Sequence, residues 1–170
     1  MDTFLVIASK RDQRRYADRE IPEEIQRKIL EAGRIAGSAV NKQPRRFVVI
    51  DDPDLRAQVA ETVFAADNVR GAKFVVAIVV TGSPGFDAGR AAQNMMLAAW
   101  NEGVTSCPNG MPDSAATSEL LGVGEDEHVI NILTFGYPEP PRSPDDRPGD
   151  QWLARAKRKF FDEVVERRAP

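Results

Sequence analysis

The uninterrupted apolar run from Phe74 to Val80 constrains this chain more than any other stretch of it. It is rich in β-branched and aromatic residues and reads as a buried strand, which needs cover on both of its faces. Arg46 to Ile50 and Val129 to Phe135 have similar composition and supply further strands. The cover comes from helices. One is predicted just after Ile21-Pro22, where Glu23 and Glu24 favour an N-terminus and Ile25, Ile29 and Ile35 supply apolar positions. A second is predicted over Pro53 to Ala66. From Asp87 onward Ala88, Ala91, Ala92, Met95, Met96 and Ala99 recur at helical spacing, and such small residues permit close backbone approach. This is read as the central helix, with Met95 and Met96 in the core. The Pro- and Asp-rich run from Tyr137 to Asp150 reads as an irregular connector, and Gln151 to Arg168 as a basic segment, helical or extended across a neighbour's surface. Helices mixed with strands indicate an α+β fold.

At 170 residues the chain has the size of one domain, and a net charge of -3 lacks the electrostatic footprint of a nucleic-acid binder. Cys107 is the sole cysteine, which excludes an internal disulfide or a multi-cysteine metal site and fits a reducing cytoplasm. The opening MDTFLVIASKRD has too short an apolar run for a signal peptide, and no later stretch approaches bilayer length. A cytoplasmic protein with no membrane partner is expected.

Three polar constellations carry chemistry. Lys10, Arg11, Asp12, Arg14 and Arg15 concentrate cations just before the first predicted helix. Arg offers bidentate donors and Lys a compact charge, a mixture suited to a phosphate, although a solvated basic turn or an RNA contact has the same composition. Ser38, Asn41, Lys42, Gln43 and Pro44 follow that helix. Their amides pair a donor with an acceptor, as the edge of a heterocycle requires, and the same residues also cap helices and shape turns. Ser106-Cys107-Pro108-Asn109-Gly110 follows the central helix and reads as a loop whose backbone amides are available to a ligand, or as a tight turn.

Taken in order, these segments resemble the nitroreductase family, whose N-terminal signature is a basic Arg-Arg-Ser/Asp-x-Arg cluster followed by Ser-x-x-Asn-x-Gln-Pro-Trp. Here they read Lys10-Arg11-Asp12-Gln13-Arg14 and Ser38-Ala39-Val40-Asn41-Lys42-Gln43-Pro44-Arg45, and the similarity runs on through Gln93-Asn94, the Cys107 segment and Gly136-Tyr137-Pro138. The resemblance implies a single domain over 1–170, an α+β sandwich with a mixed or largely antiparallel sheet flanked by helices. It also implies an intertwined homodimer in which 139–170 is a connector and a tail that wraps the partner. It implies FMN as cofactor and NADH or NADPH as reductant. By family role, Lys10, Arg11 and Asp12 would contact the FMN phosphate and ribityl chain and Arg14 the pyrimidine edge, where a cation stabilises the reduced anion. Asn41 would face the ring, with Gln43 and Ser38 lining the pocket and Ser38 meeting the partner's flavin. Pro108, Asn109 and Gly110 would cover the ring, the Asn109 backbone amide pointing at N5, and Arg158 would return to the phosphate. No side chain is expected to be a nucleophile. Hydride from the nicotinamide would reduce the flavin, and a nitroaromatic, quinone or related acceptor would take the electrons in a ping-pong cycle.

The chain departs from the pattern at Arg45, where the family usually has Trp, and at Phe160-Phe161, which replace Pro-Leu. It also has only Gly82 to Phe86 where many members carry a long helical cover, so an open site is expected. Lone His128 supports no catalytic pairing, Cys107 reads as a small packed residue, and Glu125-Asp126-Glu127 reads as a solvated run. A flavin sensor or carrier without turnover, and a member catalysing another flavin reaction such as reductive dehalogenation, remain alternatives.

Overall fold

The apolar run is strand β2, Phe74–Thr81, in a computed structural model that describes residues 2–83 and 85–168. It is flanked in the sheet by β1 (Arg45–Val49) and β4 (Glu127–Gly136), and β3 (Thr105–Asn109) closes the order β1-β2-β4-β3. Every pairing is antiparallel. Side-chain alternation along β2 then builds two cores. Phe74, Val76, Ile78 and Val80 face one side with Ile29, Met95 and Leu133, while Val75, Ala77 and Val79 face the other with Val59, Val69 and Ile132.

The first core is covered by α2 (Glu23–Arg34) and α5 (Gly85–Asn101), the second by α3 (Pro53–Glu61), α4 (Ala66–Arg70) and α6 (Ser114–Leu120). A Cβ at Gly33 would stand 2.7 Å from Met95 Sδ, so α2 and α5 meet at a distance that only glycine allows without repacking. Two predicted boundaries shift for physical reasons. The helix expected over 53–66 breaks into α3 and α4 because the Phe64 amide donates to Gly110 O at 3.0 Å, a tertiary bond in place of a helical one. The Ser106–Gly110 segment, expected as a loop, is largely strand β3. Ser106 O accepts from Gln13 N at 3.3 Å on the open side of β3, and Pro108, two residues on, faces that same side, where its missing N–H costs no ladder bond.

The chain begins with α1 (Thr3–Ser9), unforeseen in the sequence, which packs against α7 (Gly149–Arg155) through buried Trp152. The tail expected to lie on a partner thus lies in its first part on its own chain. A short α8 (Phe161–Val164) follows, presenting Phe160, Phe161, Val164 and Val165 to solvent. Glu127 is not a solvated carboxylate: Arg46 grips it through Nε at 2.8 Å and Nη2 at 2.6 Å. Among the described residues no helix is long and apolar enough to cross a membrane.

Candidate cofactor site

The basic segment after α1 runs beside the open edge of β3, bridging Asp12 to Ser106 and Tyr16 to Pro138. This brings the first and third constellations together. Lys10 is nearly buried, its Nζ 3.5 Å from Ser106 O and 3.6 Å from Met96 Sδ, and it pairs with Asp12. Arg11 donates through Nη1 to the carbonyls of Ala8 at 2.8 Å and Lys10 at 2.7 Å, and through Nη2 to Trp152 at 3.0 Å. Burial, with the nearby Arg158 guanidinium, lowers its pKa. Carbonyls thus hold the Arg11 guanidinium without neutralising it, and with Lys10 and Arg158 nearby the arrangement favours an anion even though Asp12 already pairs with Lys10.

Lys10, Arg11, Asp12, Pro108 and Arg158 line one cleft of ≈ 490 Å³, within the usual range for a small-molecule site. Gln93 and Met96 from α5 line it too. Neither was singled out as a site residue: Gln93 was legible only as part of the matched Gln93-Asn94 pair, and Met96 was read as core. Arg14 lies outside this cleft, exposed, and its pKa is raised by the neighbouring Cys107 sulfur. Burial pushes the Cys107 thiol up against that influence, which suits a packed residue rather than a reactive one.

Asn109 turns its side chain inward and is only 3% exposed as a whole residue, and its place opposite Ile132 turns its backbone toward β4, so the backbone amide expected to point at the flavin faces the ladder instead. Gly110, at the end of β3, is exposed, and a Cβ there would be 3.4 Å from the Phe64 ring.

The second constellation lies elsewhere. Ser38, Asn41 and Gln43 occupy the connection from α2 to β1, the opposite edge strand, and do not line the cleft of Lys10 within one chain. Ser38 Oγ accepts from Gln43 N at 2.8 Å, Gln43 Nε2 donates to Asn41 Oδ1 at 3.1 Å, and Ala39 N donates to Asp87 Oδ2 at 3.0 Å at the start of α5. Val40, Asn41 and Gln43 all hold positive φ, at 51°, 54° and 51°. For Val and Gln this conformation is strained, and such strain concentrates at functional loops. Arg45 fills the place of the expected Trp by donating to Ala36 O at the end of α2, leaving its Nε and Nη1 buried without partners. Among the described residues no group of His, Cys, Asp and Glu could hold a metal ion.

A family model described as "Nitroreductase family" matches residues 7–81 and 84–137. The chain is 32% identical over 148 residues to an Archaeoglobus fulgidus protein provisionally named an NADH dehydrogenase/NAD(P)H nitroreductase, covering 79% of this chain and 84% of that one. Among solved structures it is similar to a Vibrio harveyi NADPH:FMN oxidoreductase complexed with NAD+, with TM-score 0.83, 22% identity, and 99% and 77% of the two chains covered. It is also similar to a nitroreductase family protein of Clostridium difficile, with TM-score 0.81, 22% identity and 100% of each chain covered.

Proposed function

This chain belongs to the nitroreductase family and is an oxidoreductase, and we propose that it binds FMN and passes electrons from NADH or NADPH to a small organic acceptor such as a nitroaromatic or quinone. The observation that carries the reading is the convergence of Lys10, Arg11 and Arg158 on one cleft beside the Pro108–Gly110 segment. The donor set fits the group: cations suit a phosphate, and a backbone edge suits the polar rim of a planar ring.

When bound, FMN supplies two-electron chemistry, alternating between the nicotinamide and the acceptor in a ping-pong cycle. The chain's own residues bind and orient. Lys10, Arg11 and Arg158 hold the phosphate, with Asp12 orienting Lys10. Arg14 stands nearer Cys107 and serves the ring edge, where its charge favours the reduced form. Pro108 and Gly110 would present backbone to the ring, with the buried Asn109 between them anchoring the segment. Ser38, Asn41 and Gln43, remote from this cleft in their own chain, serve the partner's cofactor in a homodimer. The exposed Phe160, Phe161, Val164 and Val165 support that dimer, because a second copy offers a cleft of ≈ 640 Å³ between α2 and the sheet whose floor includes Leu30, Phe47, Val49 and Phe74 and whose rim is charged, with Glu23, Arg27, Glu31, Arg34 and Asp51.

Titration of the cofactor-free protein with FMN tests the reading. The parent protein should bind, and Arg11→Ala should weaken binding by roughly ten- to a hundredfold, the loss expected for a charge-assisted contact. Equal binding by parent and variant would contradict the placement of the phosphate.

A further inference from the structure

We propose that Asn68, on α4, is a positioning residue for the Pro108–Gly110 segment; the inference rests on the assignment of that segment to the flavin. Asn68 is 5% exposed and donates through Nδ2 to Asn109 Oδ1 at 2.8 Å, across 41 positions of sequence. The Asn109 amide in turn donates to Ile132 O at 3.0 Å, Cys107 O at 3.1 Å and Thr134 Oγ1 at 3.1 Å. The Thr134 hydroxyl gives its one proton to Cys107 O at 3.0 Å, so Tyr16 must be the donor in the 2.8 Å bond between their oxygens.

This network leaves the Asn109 side chain one workable orientation. Turned over, its oxygen would face the carbonyl oxygens of Ile132 and Cys107 and its nitrogen would face the Asn68 nitrogen. Asn68 supplies the donor to Asn109 Oδ1, and the same stretch of chain holds the next residue, since Phe64 N donates to Gly110 O at 3.0 Å. The backbone of Asn109 and Gly110 is therefore fixed from the junction of α3 and α4, on the face of the sheet opposite α5. A buried network of this kind is coupled, so loss of one donor displaces the whole.

Three variants, purified as the FMN-bound protein, test the assignment. Asn68→Leu keeps the branched shape, though not the volume, and strands the Asn109 oxygen without a donor. Asn68→Asp sets a carboxylate against that oxygen once pH exceeds the buried carboxyl's raised pKa, whereas the neutral acid carries an O–H that can donate to it. Glu127→Gln, which loosens the two-point grip of Arg46 at the far end of the sheet, is a stability control away from the segment. Asn68→Leu and Asn68→Asp should shift the visible flavin band and the midpoint potential and weaken FMN binding about tenfold or more, the equivalent of one unsatisfied buried acceptor. Glu127→Gln should lower the unfolding temperature and leave band and potential at parental values. The Asn68→Asp spectrum should return toward the parental one as pH falls through the carboxyl's pKa. Should Asn68→Leu fail to fold, that pH reversal decides alone. Parental band, potential and affinity in the Asn68 variants, or a pH-independent Asn68→Asp spectrum, would overturn the proposal. A parent protein that binds no FMN would remove the cofactor assignment and this inference with it.

Discussion

Lys10, Arg11 and Arg14 stand close in sequence yet meet different surroundings. Lys10 and Arg11 are held by carbonyls at the mouth of the cleft, whereas Arg14 is exposed beside Cys107. A phosphate keeps its charge through the redox cycle, so Lys10→Ala should weaken FMN binding with little change in potential. The ring edge gains charge on reduction, so Arg14→Ala should lower the potential, by an amount that solvent screening keeps modest. Spectroelectrochemistry at saturating FMN separates the two, and a shifted potential in Lys10→Ala with none in Arg14→Ala would reverse the assignments. These cations were legible in the sequence because their chemistry is intrinsic to residue type. Asn68 was not, and Gln93 only as part of the matched Gln93-Asn94 pair, because each acquires its place through contacts with residues remote in sequence.

Strand β2 was legible for a comparable reason: a strand covered on both faces cannot alternate polar with apolar residues, and this one does not. Strand β3 was obscured by Pro108, whose turn-forming character is overridden by its place on the outward side of an edge strand. The single helix expected over 53–66 failed where Gly110 O claimed the Phe64 amide, information that lies outside the local sequence. The packing makes its own predictions. A Cβ at Gly136 would stand 2.7 Å from three atoms of Tyr16, so Gly136→Ala should cost about 1–3 kcal/mol in urea unfolding, the usual range for overpacking. A wild-type unfolding curve for that variant would contradict the contact. At the far end of the sheet, Arg46 and the Gly124 amide hold the Glu127 carboxyl down at about 2, from a usual 4.5. A depressed carboxyl stabilises the fold above its unfolded value, and that contribution is lost as pH falls between the two values. Glu127→Gln should therefore flatten the acid limb of stability between about pH 4.5 and pH 2. An unchanged limb would show that the pair contributes nothing.

At the level of the assembled protein, the sequence indicated a basic tail and left open whether it lies on its own chain or another. The tail's first part lies on its own chain, where α7 packs on α1 and Trp152 O accepts from Arg11 Nη2 at 3.0 Å, while Phe160 and Phe161 stay 82% and 67% exposed. Ending the chain after Lys159 should leave the fold intact and shift sedimentation from dimer to monomer, with loss of FMN, if Ser38, Asn41 and Gln43 serve a partner's cofactor. A truncated chain that remains a dimer with full FMN occupancy would contradict the role given to that tail. All of this depends on the cofactor. The most direct measurement is the visible absorbance of the FMN-reconstituted protein before and after anaerobic addition of NADH or NADPH. Flavin absorption that bleaches with the nicotinamide and returns on adding a quinone or nitroaromatic is the predicted result; a protein that takes up no FMN on titration, or whose bound FMN neither nucleotide reduces, would contradict it.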